Sequence, residues 1–221
     1  MMSSINVTHP LEALREQLFP YRPPVLALVQ DVLTPAECHA EIARIEASDP
    51  SVATINAGGG RMVLNTRVRN NDRVIFEDVP LAARLFERMR SAIPDVREGW
   101  NACGLNERFR AYRYARGQRF APHFDGSFVR NDEEQSLITV IIYLNEGCGG
   151  GETAFGDLEY VVTPNAGMAL LFEHMVLHEG CEVTSGLKYV LRTDVMYRKP
   201  SSAKGPVIIN EAVRDVSRVG E

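Results

Sequence analysis

Arg116-Gly-Gln-Arg-Phe-Ala-Pro-His123-Phe-Asp125 is the stretch from which the rest of the chain can be read. His123 and Asp125 are two apart. On an extended segment both side chains face the same way, because side chains alternate along a strand. An imidazole and a carboxylate on one face supply two ligands of a facial iron(II) site, and a second imidazole completes it. That histidine should sit on a strand returning beside this one, and His178, in Val176-Leu-His178-Glu-Gly180, offers it. His174 competes, but it ends an apolar run next to Glu173, as edge or loop material would. Alone, a His-x-Asp pair proves little. A His123–Asp125 hydrogen bond on a surface turn would explain it equally.

Working outward, Arg108-Phe-Arg-Ala-Tyr112-Arg-Tyr114 alternates as a strand, and Leu137 to Leu144 is apolar on both faces, as a central strand would be. Asn131 to Gln135 reads as a polar loop and Gly147 to Gly151 as a turn. Glu152–Phe155, Glu159–Val162, Ala169–Phe172 and Lys188–Tyr197 are further short strands. Upstream, Leu11 to Leu18 has a helical pattern and Val25 to Val29 reads as a strand. Thr34-Pro35-Ala-Glu37 is a capping box opening a helix to about Ala47. A second helix spans Pro80 to about Ile93, with Leu81, Leu85, Phe86 and Met89 facing the core. Helices followed by seven or eight strands predict an α+β, mainly β fold: a double-stranded β-helix (jelly roll) with flanking N-terminal helices.

The 221 residues suit one domain: N-terminal support over 1–100, a core over 101–199 and a loose tail over 200–221. A net charge of −5 argues against nucleic acid as a partner. No run is long and apolar enough to span a bilayer, and the N-terminus lacks a signal-peptide pattern. The four scattered cysteines (Cys38, Cys103, Cys148, Cys181) read as reduced thiols, so the expected location is the cytoplasm, with no membrane partner. Residues 56–73, glycine-rich and carrying Arg61, Arg67, Arg69 and Arg73, are either a solvated loop or a flap whose arginines meet a substrate.

Lys188 and Arg192 lie four apart on one strand, hence on one face. A cation at the closed end of an apolar barrel is costly unless it meets an anion. Either could bind the distal carboxylate of a dicarboxylic acid, and either could pair with Asp194 on the same face. Tyr114, Tyr143 and Thr139 offer hydroxyl donors to such a carboxylate.

From about Glu107 to Arg198 the chain resembles the iron(II)- and 2-oxoglutarate-dependent dioxygenases of the prolyl 4-hydroxylase-like branch. The resemblance is carried by Tyr114-x-x-Gly117-Gln, Pro122-His123-x-Asp125, Tyr143-Leu-Asn145, Gly150-Gly151-Glu-Thr153-x-Phe155, Pro164-x-x-Gly167, and His178 followed ten later by Lys188. It implies iron bound by His123, Asp125 and His178, 2-oxoglutarate anchored by Lys188 with Tyr114 beside it, and ascorbate as a further cofactor. It implies hydroxylation of an unactivated C–H bond by dioxygen with decarboxylation of 2-oxoglutarate to succinate. The expected substrate is a prolyl or similar residue in a peptide or protein; a free amino acid or natural product is the alternative. A non-catalytic jelly-roll binding module is the alternative of another class. Asp194 departs from the pattern, standing where many prolyl hydroxylases carry Trp, and Arg192 is a second candidate anchor beside Lys188.

Overall fold

A computed structural model of the chain describes residues 6–8, 24–56, 58–59 and 61–200. The helical pattern at Leu11–Leu18 and the tail beyond 200 lie outside them. The labelled elements run β1 (Leu26–Val29), α1 (Pro35–Ala47), β2 (Asp72–Glu77), α2 (Val79–Met89), β3 (Trp100–Leu105), β4 (Arg108–Tyr114), β5 (Phe120–His123), β6 (Glu134–Tyr143), β7 (Thr153–Phe155), β8 (Tyr160–Val162), β9 (Ala169–Glu173), β10 (His178–Gly180) and β11 (Lys188–Arg198).

A large antiparallel sheet carries the order β1-β9-β6-β11-β4-β2, with β3 pairing the C-terminal half of β11. A smaller sheet runs β5-β10-β7-β8. This is the jelly-roll arrangement. The central strands β6 and β11 are apolar on both faces because both faces are covered. On one side Ile142, Ala169, Leu191 and Tyr197 pack with Ile45 of α1 and Leu81, Leu85 and Met89 of α2. On the other, Tyr143, Leu170, Phe172 and Val190 pack with Phe155, Val162 and Val183. The active-site candidates lie on this second side, where the sheets meet.

Local signals explain the element ends. Thr34 Oγ1 accepts from Glu37 N–H (3.2 Å), and the Glu37 carboxylate accepts from Thr34 N–H (2.9 Å), closing the capping box of α1. At α2, the Asp78 carboxylate accepts from Leu81 N–H (2.9 Å). The helix ends at Met89 and tightens into a 3₁₀ turn over Arg90–Ala92 instead of running on to Ile93. One expectation is corrected. Residues 131–135 are the tip of a hairpin, with Val129 opposite Gln135, so β6 begins at Glu134. Glu134 can start a strand while buried because Arg130 (2.7 Å) and Arg198 (2.8 Å) both donate to its carboxylate. The glycine-rich stretch also holds a small ladder, Ile55–Asn56 against Met62–Val63.

Gly167 shows why the Pro-x-x-Gly spacing matters physically. Its φ is +80°, and a Cβ there would lie 2.2 Å from the carbonyl oxygen of Leu33. Its own carbonyl accepts from Val32 N–H (2.9 Å), joining the β1–α1 connection to the sheet. Gly167→Ala is therefore expected to lower unfolding free energy by about 3 kcal/mol. Chemical denaturation would measure this, and an unchanged midpoint would contradict it.

Candidate metal centre

β5 ends on His123 and β10 begins on His178, and the register sets these two residues directly opposite each other. Asp125 lies two residues beyond, outside the strand. Its backbone N–H donates to His174 O (3.0 Å), which fixes the turn that brings the carboxylate back. His123 Nε2 is 3.7 Å from Asp125 Oδ1, and His178 Nε2 is 3.6 Å from Oδ2. One donor atom from each residue falls within 4.8 Å of the others, the one such group of three among the described residues.

The ring orientations suit a cation. His123 Nδ1 lies 2.8 Å from Ala121 O and His178 Nδ1 lies 3.0 Å from Val176 O. A carbonyl can only accept, so each Nδ1 carries the proton and each Nε2 presents a lone pair. Phe120 stacks on His123 at 3.5 Å, and Phe172 meets the His178 ring edge-on at 4.4 Å. Burial, with His178 nearby, pulls the His123 pKa down to about 4, and burial lowers His178. Burial alone would raise the Asp125 carboxyl, but Arg192, both imidazoles and Thr139 hold it well below the usual carboxylate range. At neutral pH the set is two neutral imidazoles and one carboxylate. Arg192 and Thr139 touch the carboxylate, yet each oxygen keeps further lone pairs. The donors fit a divalent ion such as iron(II).

Beside the donors opens a cleft lined among others by Tyr114, Lys188 and Arg192. The two cations there differ. Arg192 Nη2 is 2.9 Å from Asp125 and 3.3 Å from Asp194, and Arg110 also holds Asp194 (3.1 Å). Lys188 is 3% exposed. No described carboxylate forms an ion pair with it, and its ammonium sits over the Tyr114 (5.1 Å) and Tyr143 (5.6 Å) rings. Burial pulls its pKa down to about 8. So Asp194 pairs with Arg192, and Lys188 is the cation left for an incoming anion. Gly151, at φ +76°, gives it room: a Cβ there would lie 3.1 Å from Lys188 Cδ.

Two expected hydroxyl donors are engaged elsewhere. Tyr143 OH lies 2.7 Å from Thr153 Oγ1, and Thr139 Oγ1 donates to Asp125 Oδ2 (2.6 Å). Neither lines the cleft, whereas Tyr114 does. Alternation puts all three on the correct face; the row each occupies decides what its hydroxyl meets. Among the loop arginines, Arg61 and Arg67 are exposed. Arg69 is buried between the Tyr112 (4.2 Å) and Phe120 (4.3 Å) rings, and its Nε donates to Asn71 Oδ1 (2.7 Å). Ala121 N–H donates to Val68 O (2.8 Å), tying this part of the loop to β5. The Phe120 stack leaves no mark in residue spacing, so no sequence signal points to it.

Residues 109–193 match the family model described as the 2OG-Fe(II) oxygenase superfamily. Prolyl 4-hydroxylase 1 of Arabidopsis thaliana is 27% identical over 193 residues, covering 75% of this chain and 66% of that protein. The chain spans 66%, 28% and 25% of the length of three curated relatives it matches. Among solved structures, the viral collagen prolyl hydroxylase of Paramecium Bursaria Chlorella virus-1, in its 2OG complex, is similar with a TM-score of 0.53, 20% identity, and coverage of 78% of this chain and 96% of that one. A Trichoplax adhaerens prolyl hydroxylase, solved with a hypoxia inducible factor peptide fragment, is similar with a TM-score of 0.57, 15% identity, and coverage of 77% and 83%. These two likenesses speak to the fold.

Proposed function

From the match of residues 109–193 to the family model of the 2OG-Fe(II) oxygenase superfamily, we propose that this protein is an iron(II)- and 2-oxoglutarate-dependent hydroxylase acting on a prolyl or similar residue of a peptide or protein. The observation that carries this reading is Lys188: a buried ammonium with no carboxylate partner among the described residues, in one cleft with His123, Asp125 and His178. That combination suits a ligand with metal-binding oxygens at one end and an anion at the other.

His123 and His178 would hold the iron through Nε2, and Asp125 through its carboxylate. Iron, with 2-oxoglutarate and dioxygen, supplies the oxidising power for C–H hydroxylation, and 2-oxoglutarate leaves as succinate and carbon dioxide. Lys188 would pair with the distal carboxylate, and Tyr114 would close the cleft beside it. Arg192 keeps Asp125 ionised. Phe120, stacked on His123, and Phe172, edge-on to His178, pack apolar rings against the imidazoles. Ascorbate would serve as the reductant that restores a ferrous centre. The names of the relatives support a peptide substrate. A small molecule, such as a free amino acid or natural product, is the second reading, favoured by Arg69, whose buried Nη2 meets no hydrogen-bond partner among the described residues and whose flanking rings line the cleft.

Incubation in air with iron(II), ascorbate, 2-oxoglutarate and either proline-rich peptides or free amino acids tests this. Succinate release coupled to a product heavier by one oxygen atom is expected. Neither succinate nor product with any member of either panel would sink the proposal.

The Lys188 ammonium also sets a pH dependence. An anion bound against it stabilises the charged form, so its pKa rises on binding above the free value of about 8. Cosubstrate affinity should be level below that pH and should fall about tenfold per unit above it, because binding must then take up a proton. Anaerobic calorimetry across this range checks the sign. Affinity that stays flat to about pH 10, where an ordinary lysine titrates, would count against it.

A further inference from the structure

His174 stands outside the three-donor set yet is tied to it twice. Its carbonyl accepts from Asp125 N–H (3.0 Å). Its ring Nδ1 lies 2.8 Å from Thr139 Oγ1, and its Nε2 lies 2.8 Å from Ser136 Oγ. Thr139 in turn donates to Asp125 Oδ2 at 2.6 Å. His174, Thr139 and Ser136 are all buried.

The proton positions are fixed from both ends. A carboxylate only accepts, so the single hydroxyl proton of Thr139 is committed to Asp125. Thr139 Oγ1 then offers only lone pairs toward His174, and Nδ1 must carry a hydrogen. At the far end, Ser136 Oγ accepts from Phe128 N–H (2.8 Å), leaving its own proton for His174 Nε2. One neutral tautomer satisfies every group. The other would set lone pair against lone pair at Thr139 in a buried site, where an unmet polar group costs about 1–3 kcal/mol.

We propose that His174 is a positioning residue for the metal centre: acting through the Thr139 hydroxyl, it fixes the rotation of the Asp125 carboxylate before a metal arrives. The inference rests on the metal-site reading above. A freely rotating carboxylate must be ordered when it binds a metal, whereas here folding has already ordered it. A histidine that merely satisfies its core neighbours would make bonds of the same quality, but they would not act on metal affinity.

That difference is measurable on metal-free protein titrated with manganese(II), with free metal followed by its electron paramagnetic resonance signal and folding followed by near-ultraviolet circular dichroism. His174→Leu should weaken manganese binding about 10–100-fold. His174→Asn, whose amide N–H can replace Nδ1–H, should stay within about threefold of wild type, whereas His174→Gln, which reaches toward Ser136 instead, should not. Thr139→Val should match His174→Leu, and the double variant should be no weaker than Thr139→Val alone, because both changes break one path. The Asn and Gln pair decides the matter if the leucine variant fails to fold. Folded His174→Leu or His174→Gln protein with wild-type affinity, or additive losses in the double variant, would overturn the positioning role and leave the metal site standing. Wild-type protein that binds no manganese would remove the metal site and this role together.

Discussion

Lys188→Met is expected to weaken 2-oxoglutarate binding by about 100-fold or more while leaving metal binding intact. Lys188 is 3% exposed, and no described carboxylate pairs with it. Of the two cations that line the cleft among the described residues, its replacement therefore removes the one not already paired with Asp125 and Asp194. A second effect has the opposite sign. An ammonium buried without an anion costs stability, so the ligand-free variant should be more stable than wild type by about 1–2 kcal/mol. Wild type should then gain stability on adding 2-oxoglutarate with metal, and the variant should not. Thermal unfolding with and without the cosubstrate reads both effects. A variant that binds 2-oxoglutarate normally would shift the anchor to Arg192. Arg192→Met is expected to act differently, because it strips Asp125 of its partner at 2.9 Å and so disturbs the metal donor itself.

Asp125→Asn should lower metal affinity by about 1,000-fold, roughly 4 kcal/mol, and abolish turnover. The substitution keeps the side chain's volume but removes the only anion of the donor set. It also leaves Arg192 with Asp194 as its remaining carboxylate, which Arg110 already shares. The variant should therefore be less stable even without metal, by about 2 kcal/mol. Calorimetric metal titration and denaturation separate the two consequences. Near-normal metal affinity in folded Asp125→Asn protein would mean that the three-residue group is an accident of packing.

The features legible in the amino-acid sequence share a cause. Alternation along strands depends only on local geometry. It puts Lys188, Val190 and Arg192 on one face, and Leu137 to Leu144 reads as apolar on both faces because both are covered. The capping box at Thr34 and Glu37 is equally local. The resemblance, in which a basic residue follows the distal histidine by about ten, favours His178 over His174, and the fold opposes His178 to His123. The features hidden from the sequence depend on partners distant along the chain. Asp125 is not held by the strand whose alternation predicts its direction; the carbonyl of His174 turns it back. Thr139 and Tyr143 occupy the correct face, but their hydroxyls meet Asp125 and Thr153 rather than open space. The choice between Lys188 and Arg192 needs the ion pairs of Asp125 and Asp194, which no spacing reveals. Arg69 reads like its exposed neighbours, yet Tyr112 and Phe120 enclose it.

The most direct test of the central claim is an anaerobic titration of the metal-free protein, first with iron(II) and then with 2-oxoglutarate, watching for the weak visible charge-transfer band of the chelate. The expected result is a saturable band in wild type, absent in His123→Ala and weakened in Lys188→Met. A folded wild-type protein that takes up neither iron nor 2-oxoglutarate and shows no band would contradict the oxygenase reading and leave a jelly roll used for binding.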